Sequence, residues 1–157
     1  MMTKLVTVCA LVAGLASAAM AQTTGTTNMD ILRQKIKADK KLVVAANLQL
    51  TDAEGMTFWP VYDAYQKDLQ QINQRMAAVV VAYANAYNKG AVPNDVAKKL
   101  LDEAVAVDDA EAKMKASYVP KVLATLPATK AARYIQIENK IRAAIRYELA
   151  EGIPLVE

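Results

Sequence analysis

The chain has 157 residues and no histidine, one cysteine, one phenylalanine and one tryptophan. Each scarcity removes a class of chemistry. Without histidine the chain lacks the commonest general base and the commonest metal ligand. Its only thiol, Cys9, sits in an apolar N-terminal run that we expect to be removed, which leaves no disulfide, thiolate ligand or cysteine nucleophile. Gly and Pro number five each, so turns are few. Single-sign charge is lacking too. Past residue 21 there are 18 basic and 16 acidic residues, a balance with no pull toward nucleic acid.

The first 21 residues have the three parts of a secretory signal: Lys4, an apolar run from Leu5 to Leu15, and Ala19-Met20-Ala21 before Gln22. The run is too short for a span of about 20 apolar residues. We therefore expect cleavage, leaving 136 residues, enough for one domain. Residues 22–28, QTTGTTN, read as a disordered leader.

The remainder is rich in helix formers and reads as four helices of one all-α domain, residues 29–157. The first covers Met29–Asn47, with Leu32, Ile36, Val43, Ala46 and Leu50 as its apolar stripe and Asp39 interrupting it. Its other face carries Arg33, Lys35, Lys37, Lys40 and Lys41. Such a face suits anionic lipid or an acidic client, and equally a plain solvated surface, which we favour.

The second helix opens on a Thr51/Glu54 capping box and runs to Asn88, with Gly90 as breaker. Phe58, Tyr62, Tyr65, Leu69, Ile72, Met76, Val79, Tyr83 and Ala86 follow 4-3 spacing, the seam of a coiled coil or bundle. At about 55 Å the helix is long for this chain to cover. Part of it should project or pair with a second subunit. Trp59 lies just off the seam, over a neighbouring helix or a dimer contact. Pro60 is too deep for the first turn and should bend the helix there.

Asn94 caps a third helix over Asp95–Tyr118, with Leu100, Ala104, Val107, Met114 and Tyr118 on one stripe and Glu111 falling inside it. Pro120 kinks or ends it. The fourth helix has Pro127 in its first turn, ends at Glu151–Gly152, and lines its inner face with Tyr134, Ile137, Ile141, Ile145 and Leu149. The apolar tail from Ile153 to Val156 should dock back on the bundle.

Catalytic and metal motifs are missing. No G-x-S-x-G, Walker A or G-x-G-x-x-G occurs, and the acidic cluster Asp108-Asp109-Glu111 reads as a solvated helix face before a weak cation site. Neither an enzyme nor a cofactor is expected. Adaptable apolar side chains beside lysines do suit protein binding. Lys35, Lys37, Lys40, Lys41 and Trp59 are the candidate client or partner contacts, supported by Met29, Met56, Met76 and Met114.

Two segments form a weak repeat. Leu50-Thr51-Asp52-Ala53-Glu54 and Leu126-Pro127-Ala128-Thr129-Lys130 each open a helix with Leu and place an aromatic, Phe58 or Tyr134, eight residues on. These segments resemble the LTxxQ motif of the Spy/CpxP-like periplasmic helical proteins. The first copy has Glu for Gln; the second has Pro for Thr and Lys for Gln. The chain is more similar still to exported bacterial proteins whose long helix starts with a run like FWPVYDAYQ. The resemblance implies a curved all-α homodimer in the periplasm, acting as an ATP-independent chaperone or envelope-stress protein. The alternative it leaves open is a regulatory protein for one defined partner, such as a sensor-kinase domain. Neither implies nucleic acid binding or an integral membrane segment after cleavage.

Overall fold

The computed structural model describes residues 39–156, which are all-helical and contain no strand. The expected signal, the leader and the start of the first helix, with Lys35 and Lys37, lie outside the described residues. Four helices follow one another: α1 (39–48), α2 (Asp52–Tyr87), α3 (Asn94–Leu123) and α4 (Ala128–Gly152). None of the described helices is long and apolar enough to cross a membrane.

The capping box forms as the sequence predicts. Thr51 Oγ1 accepts from the Glu54 N–H, and the Thr51 N–H donates to Glu54 Oε2 at 2.8 Å. The helix then passes unbroken through Pro60, whose ring is exposed, while Phe58 and Tyr62 beside it are buried. Gly90, at φ +127°, closes the α2–α3 hairpin in a conformation that favours glycine. The caps of α3 and α4 differ from expectation. Pro93 and Pro127, extended and without side-chain bonds, stand at the N-cap positions in place of Asn94 and a first-turn proline. Pro120 does not end α3, which continues to Leu123; the ring faces solvent, where water can satisfy the carbonyl it strands.

Contacts between side chains set the topology. Tyr65 against Tyr118 and Arg75 against Glu103 make α2 and α3 antiparallel. Phe58 against Tyr134 and Gln66 against Glu138 lay α4 parallel to α2. Short α1 runs antiparallel to α2, with Lys41 on Asp63. The core at the motif end unites Val44 and Leu48 of α1, Phe58, Tyr62, Tyr65 and Leu69 of α2, Tyr118 and Val122 of α3, and Ala131 and Tyr134 of α4. A smaller cluster at the other end joins Ala77 and Val80 to Val81, Leu149 and Ile153. There the first half of the tail docks: Ile153 packs on the cluster and Tyr83 Oη donates to the Pro154 carbonyl at 3.0 Å. Leu155 and Val156 beyond it are exposed.

Three inner faces differ from their predicted stripes. In α1, Val44 and Leu48 are buried while Val43 and Ala46 face out. In α4, Ala131, Tyr134 and Glu138 are buried, and Ile145 is exposed. In both helices a charged side chain at a core position disguised the stripe: Lys40 precedes Val44 and Leu48 at helical spacing, and Glu138 follows Tyr134. In α2 the seam holds through Ile72 and then passes to Ala77, Val80 and Ala84. A straight helix turns every 3.6 residues, so a strict heptad drifts about 20° per repeat. Met76, Val79, Tyr83 and Ala86 are therefore only half-buried.

Candidate functional site

The two motif copies meet. Leu126 is buried in the motif-end core, and Leu50 packs against the same cluster. Lys130 Nζ lies 2.7 Å from Glu54 Oε2 and 3.0 Å from the Gln49 carbonyl oxygen, to which it donates. The fifth residues of the two repeated segments thus pair with each other as opposite charges. Lys130 and the Thr51 backbone amide hold the Glu54 carboxyl below the usual carboxylate value. Arg133 also reaches the Asn47 carbonyl, at 3.4 Å. Two cations of α4 therefore sit at the carbonyl end of α1, where a helix favours positive charge. Gln49 there adopts a left-handed conformation, φ 49°.

Behind this junction the aromatic side chains gather. Phe58 packs on Trp59, Tyr62 and Tyr134, with centroids 5.1, 6.1 and 5.1 Å away. Tyr134 also meets Tyr65, which stacks edge-on against Tyr118 at 5.2 Å. Burial raises the tyrosine phenols well above their ordinary value, and Tyr118, which also donates to Asp68 at 2.6 Å, is pushed up to about 12. The Tyr134 hydroxyl is buried without a hydrogen-bond partner among the described residues. These rings act as neutral packing groups, as the seam predicts for Phe58, Tyr62 and Tyr65.

Trp59 is the outer edge of that cluster. It is half-buried, and the Lys41 ammonium stands 5.0 Å from its ring centroid and 5.6 Å from that of Tyr62. An open groove of about 590 Å³ runs past it, lined by Ala45, Leu50, Thr51, Asp52, Gly55 and Met56. Met56 is 80% exposed, an adaptable apolar side chain at the rim. Gly55 lies beside the indole; a Cβ there would stand 3.4 Å from Trp59 Nε1, an ordinary van der Waals contact, so the indole's position does not depend on glycine. Of the lysines read as contacts, Lys41 is therefore at this surface. Lys40 is not. It turns inward, donating to Glu138 Oε2 and Gln66 Oε1 at 2.8 Å each, with Gln66 donating in turn to Glu138.

The acidic cluster of α3 is also engaged from within. Glu111, 4% exposed, accepts a two-pronged interaction from Arg142 and a further bond from Arg146, which also bridges Asp108. Burial pushes the Glu111 carboxyl up, but the two arginines outweigh it and hold it below the usual value. Arg142 also donates to Asn73 of α2 at 2.6 Å. Among the described residues no group of three or more His, Cys, Asp or Glu is placed to hold a metal.

Sequence reasoning missed Gln66, Lys130 and Glu138. The sequence signal for Lys130 and Glu54 was that equivalent positions of the two repeated segments carry opposite charge. Comparison with family profiles, curated proteins and solved structures returned no match.

Proposed function

We infer that this is an exported, periplasmic binding protein that holds unfolded or partner polypeptides without ATP, chemical catalysis or a cofactor. The observation that carries this reading is the surface where Trp59 and exposed Met56 line an open groove beside Lys41. An adaptable, largely apolar lining with Asp52 within it and Lys41 at its edge suits a polypeptide segment that presents apolar side chains flanked by charges of either sign. The cation is partly neutralised by Asp63, 3.0 Å away, so attraction to a client is short-ranged and salt-sensitive.

The test is suppression of aggregation, followed by light scattering, for two unrelated unfolded clients at near-stoichiometric ratios. Trp59→Ala with Met56→Ser should weaken suppression several-fold while the helical signal persists. If the unaltered protein suppresses neither client, general client holding fails. Crosslinking from the cell envelope that recovers one protein reproducibly would then favour the regulatory reading, in which a single defined partner covers the groove.

A further inference from the structure

Two side chains of the groove carry chemistry that holding a polypeptide leaves unused. The first is Met56, 80% exposed, whereas Met76 and Met114 are half-buried. Past residue 21 the chain has no cysteine, so its thioethers are the softest two-electron targets it offers. Among the described residues, Met56 presents the thioether most open to a diffusing oxidant.

The second is Trp59. Its Nε1 lies against Gly55, the chain neighbour of Met56, and all three residues line the groove. The indole N–H donates to no group among the described residues. Side chains on a helix lean toward its N-terminus, and residues three apart are surface neighbours, so the indole lies back over the turn that carries Met56. An unused donor thus stands beside an exposed thioether. The thioether is a weak acceptor, but its sulfoxide is polar and presents a strong acceptor oxygen.

We propose that Met56 is an oxidation site, and that its sulfoxide folds over the groove by accepting a hydrogen bond from Trp59 Nε1. The oxidant is a peroxide. A sulfur lone pair attacks one peroxide oxygen; the S–O bond forms and the O–O bond breaks. The second oxygen takes the proton of the first and leaves as water. Sulfur gives up two electrons and the peroxide accepts them. A dithiol acting through a sulfoxide reductase reverses the step: it is oxidised to a disulfide, and the sulfoxide oxygen leaves as water. Three rotatable bonds give the Met56 side chain the reach to bend toward its neighbour. The oxidised groove has a polar rim and an occupied indole donor, and both disfavour an apolar segment. That last consequence rests on the client-holding reading. The modification and its coupling to the indole do not, and both are read without a client.

Trp59 is the chain's only tryptophan, so its emission reports on this turn alone. Hydrogen peroxide should convert Met56 to its sulfoxide at least about threefold faster than Met76 or Met114, read by peptide mass. In step with that mass change, acrylamide quenching of Trp59 should fall about twofold, with circular dichroism unchanged, as the sulfoxide covers the indole edge. Sulfoxide reductases for both epimers should restore the original quenching. Met56→Leu keeps an apolar rim without an oxidisable sulfur, and its quenching should ignore peroxide. The proposal is overturned if Met76 or Met114 is oxidised as fast as Met56. It is overturned equally if quenching stays the same or rises once Met56 carries its oxygen, or if Met56→Leu responds as the wild type does. With unfolded clients, a several-fold loss of aggregation suppression on oxidation supports closure, and equal suppression by both forms overturns it. Suppression by neither form sinks client holding alone, because mass and fluorescence have by then decided the site.

Discussion

The two ends of the bundle are built differently. At the motif end four helices converge on Phe58, Tyr65 and Tyr134, and all three rings are almost wholly inaccessible. At the hairpin end the buried side chains are Ala77, Val80, Ala84 and Val92, with half-buried Val81, Leu149 and Ile153 packed against the first two. Aromatic rings bury large areas and pair edge to face, whereas alanines and valines offer less to bury. Between these ends lies a charged layer: Lys40, Gln66 and Glu138, then Asn73, Glu111 and Arg142. Stability is thus concentrated where the repeated motif is, next to the groove. The far end is free to open at lower cost, as weakly packed segments do.

The largest expected effect breaks the first half of this contrast. Phe58→Ala removes a ring that packs on three others and should cost about 3–5 kcal/mol. Leu149→Ala at the other end should cost about 1 kcal/mol, since the site is half-exposed and can collapse. Denaturant unfolding of both variants reads the difference. Equal losses would show that the hairpin end is as well packed as the motif end.

The charged layer comes next. Arg142→Met leaves the buried Glu111 with only the half-exposed Arg146 as its cationic partner and should cost about 2–4 kcal/mol. The same site sets an acid limb. Because the folded Glu111 titrates below its ordinary 4.5, its contribution is complete above pH 4.5. It is then lost as pH falls through the depressed folded value. Glu54 is shifted the same way and shares the window. Melting temperature against pH should therefore fall steeply below 4.5 in the wild type. Glu111→Gln should start lower at neutral pH and lose less on acidification. Parallel curves for the two proteins would show that Glu111 does not contribute to the limb.

These layers also explain what could be read from residues alone. The capping box, the aromatic half of the α2 seam and Glu111 inside the α3 stripe depend on neighbours within one helix, and their spacing announces them. Lys40 facing inward does not. Its partners are 26 and 98 residues away, and a lysine beside Lys41 at a helix surface reads as solvated until α4 supplies Glu138. Counting charges as outward then misplaced Val43, Ala46 and Ile145 as well. At the candidate site, Trp59 was legible as the residue off the seam, but the groove depends on how α1 ends against α2.

A smaller effect concerns Pro60, which lies between two buried aromatics on the solvent side of α2. Proline there deprives the Met56 carbonyl of its helical donor, so Pro60→Ala should stabilise the motif end by about 1–3 kcal/mol. A lower melting temperature in this variant would instead mean that the aromatic core is fitted to a helix bent at Pro60.

The smallest and most discriminating change concerns Glu54 and Lys130, where the repeat departs from its own pattern. Lys130→Glu would set two carboxylates together and leave the Gln49 carbonyl oxygen without its donor, facing a further acceptor. It should lower the melting temperature. Exchanging both charges restores an ion pair but not the geometry, because a lysine at 54 cannot accept from the Thr51 amide and a glutamate at 130 cannot donate to Gln49. The exchange should therefore recover only part of the loss. Glutamine at both positions keeps each function, since an amide oxygen can take the cap and an amide nitrogen can reach the carbonyl. That double variant should melt closer to the wild type than the charge exchange does. The remaining gap should narrow as salt screens the pair. If the charge exchange instead matches the wild type, Coulomb attraction alone joins the two motif copies, and the hydrogen-bond geometry at the start of α2 is incidental to it.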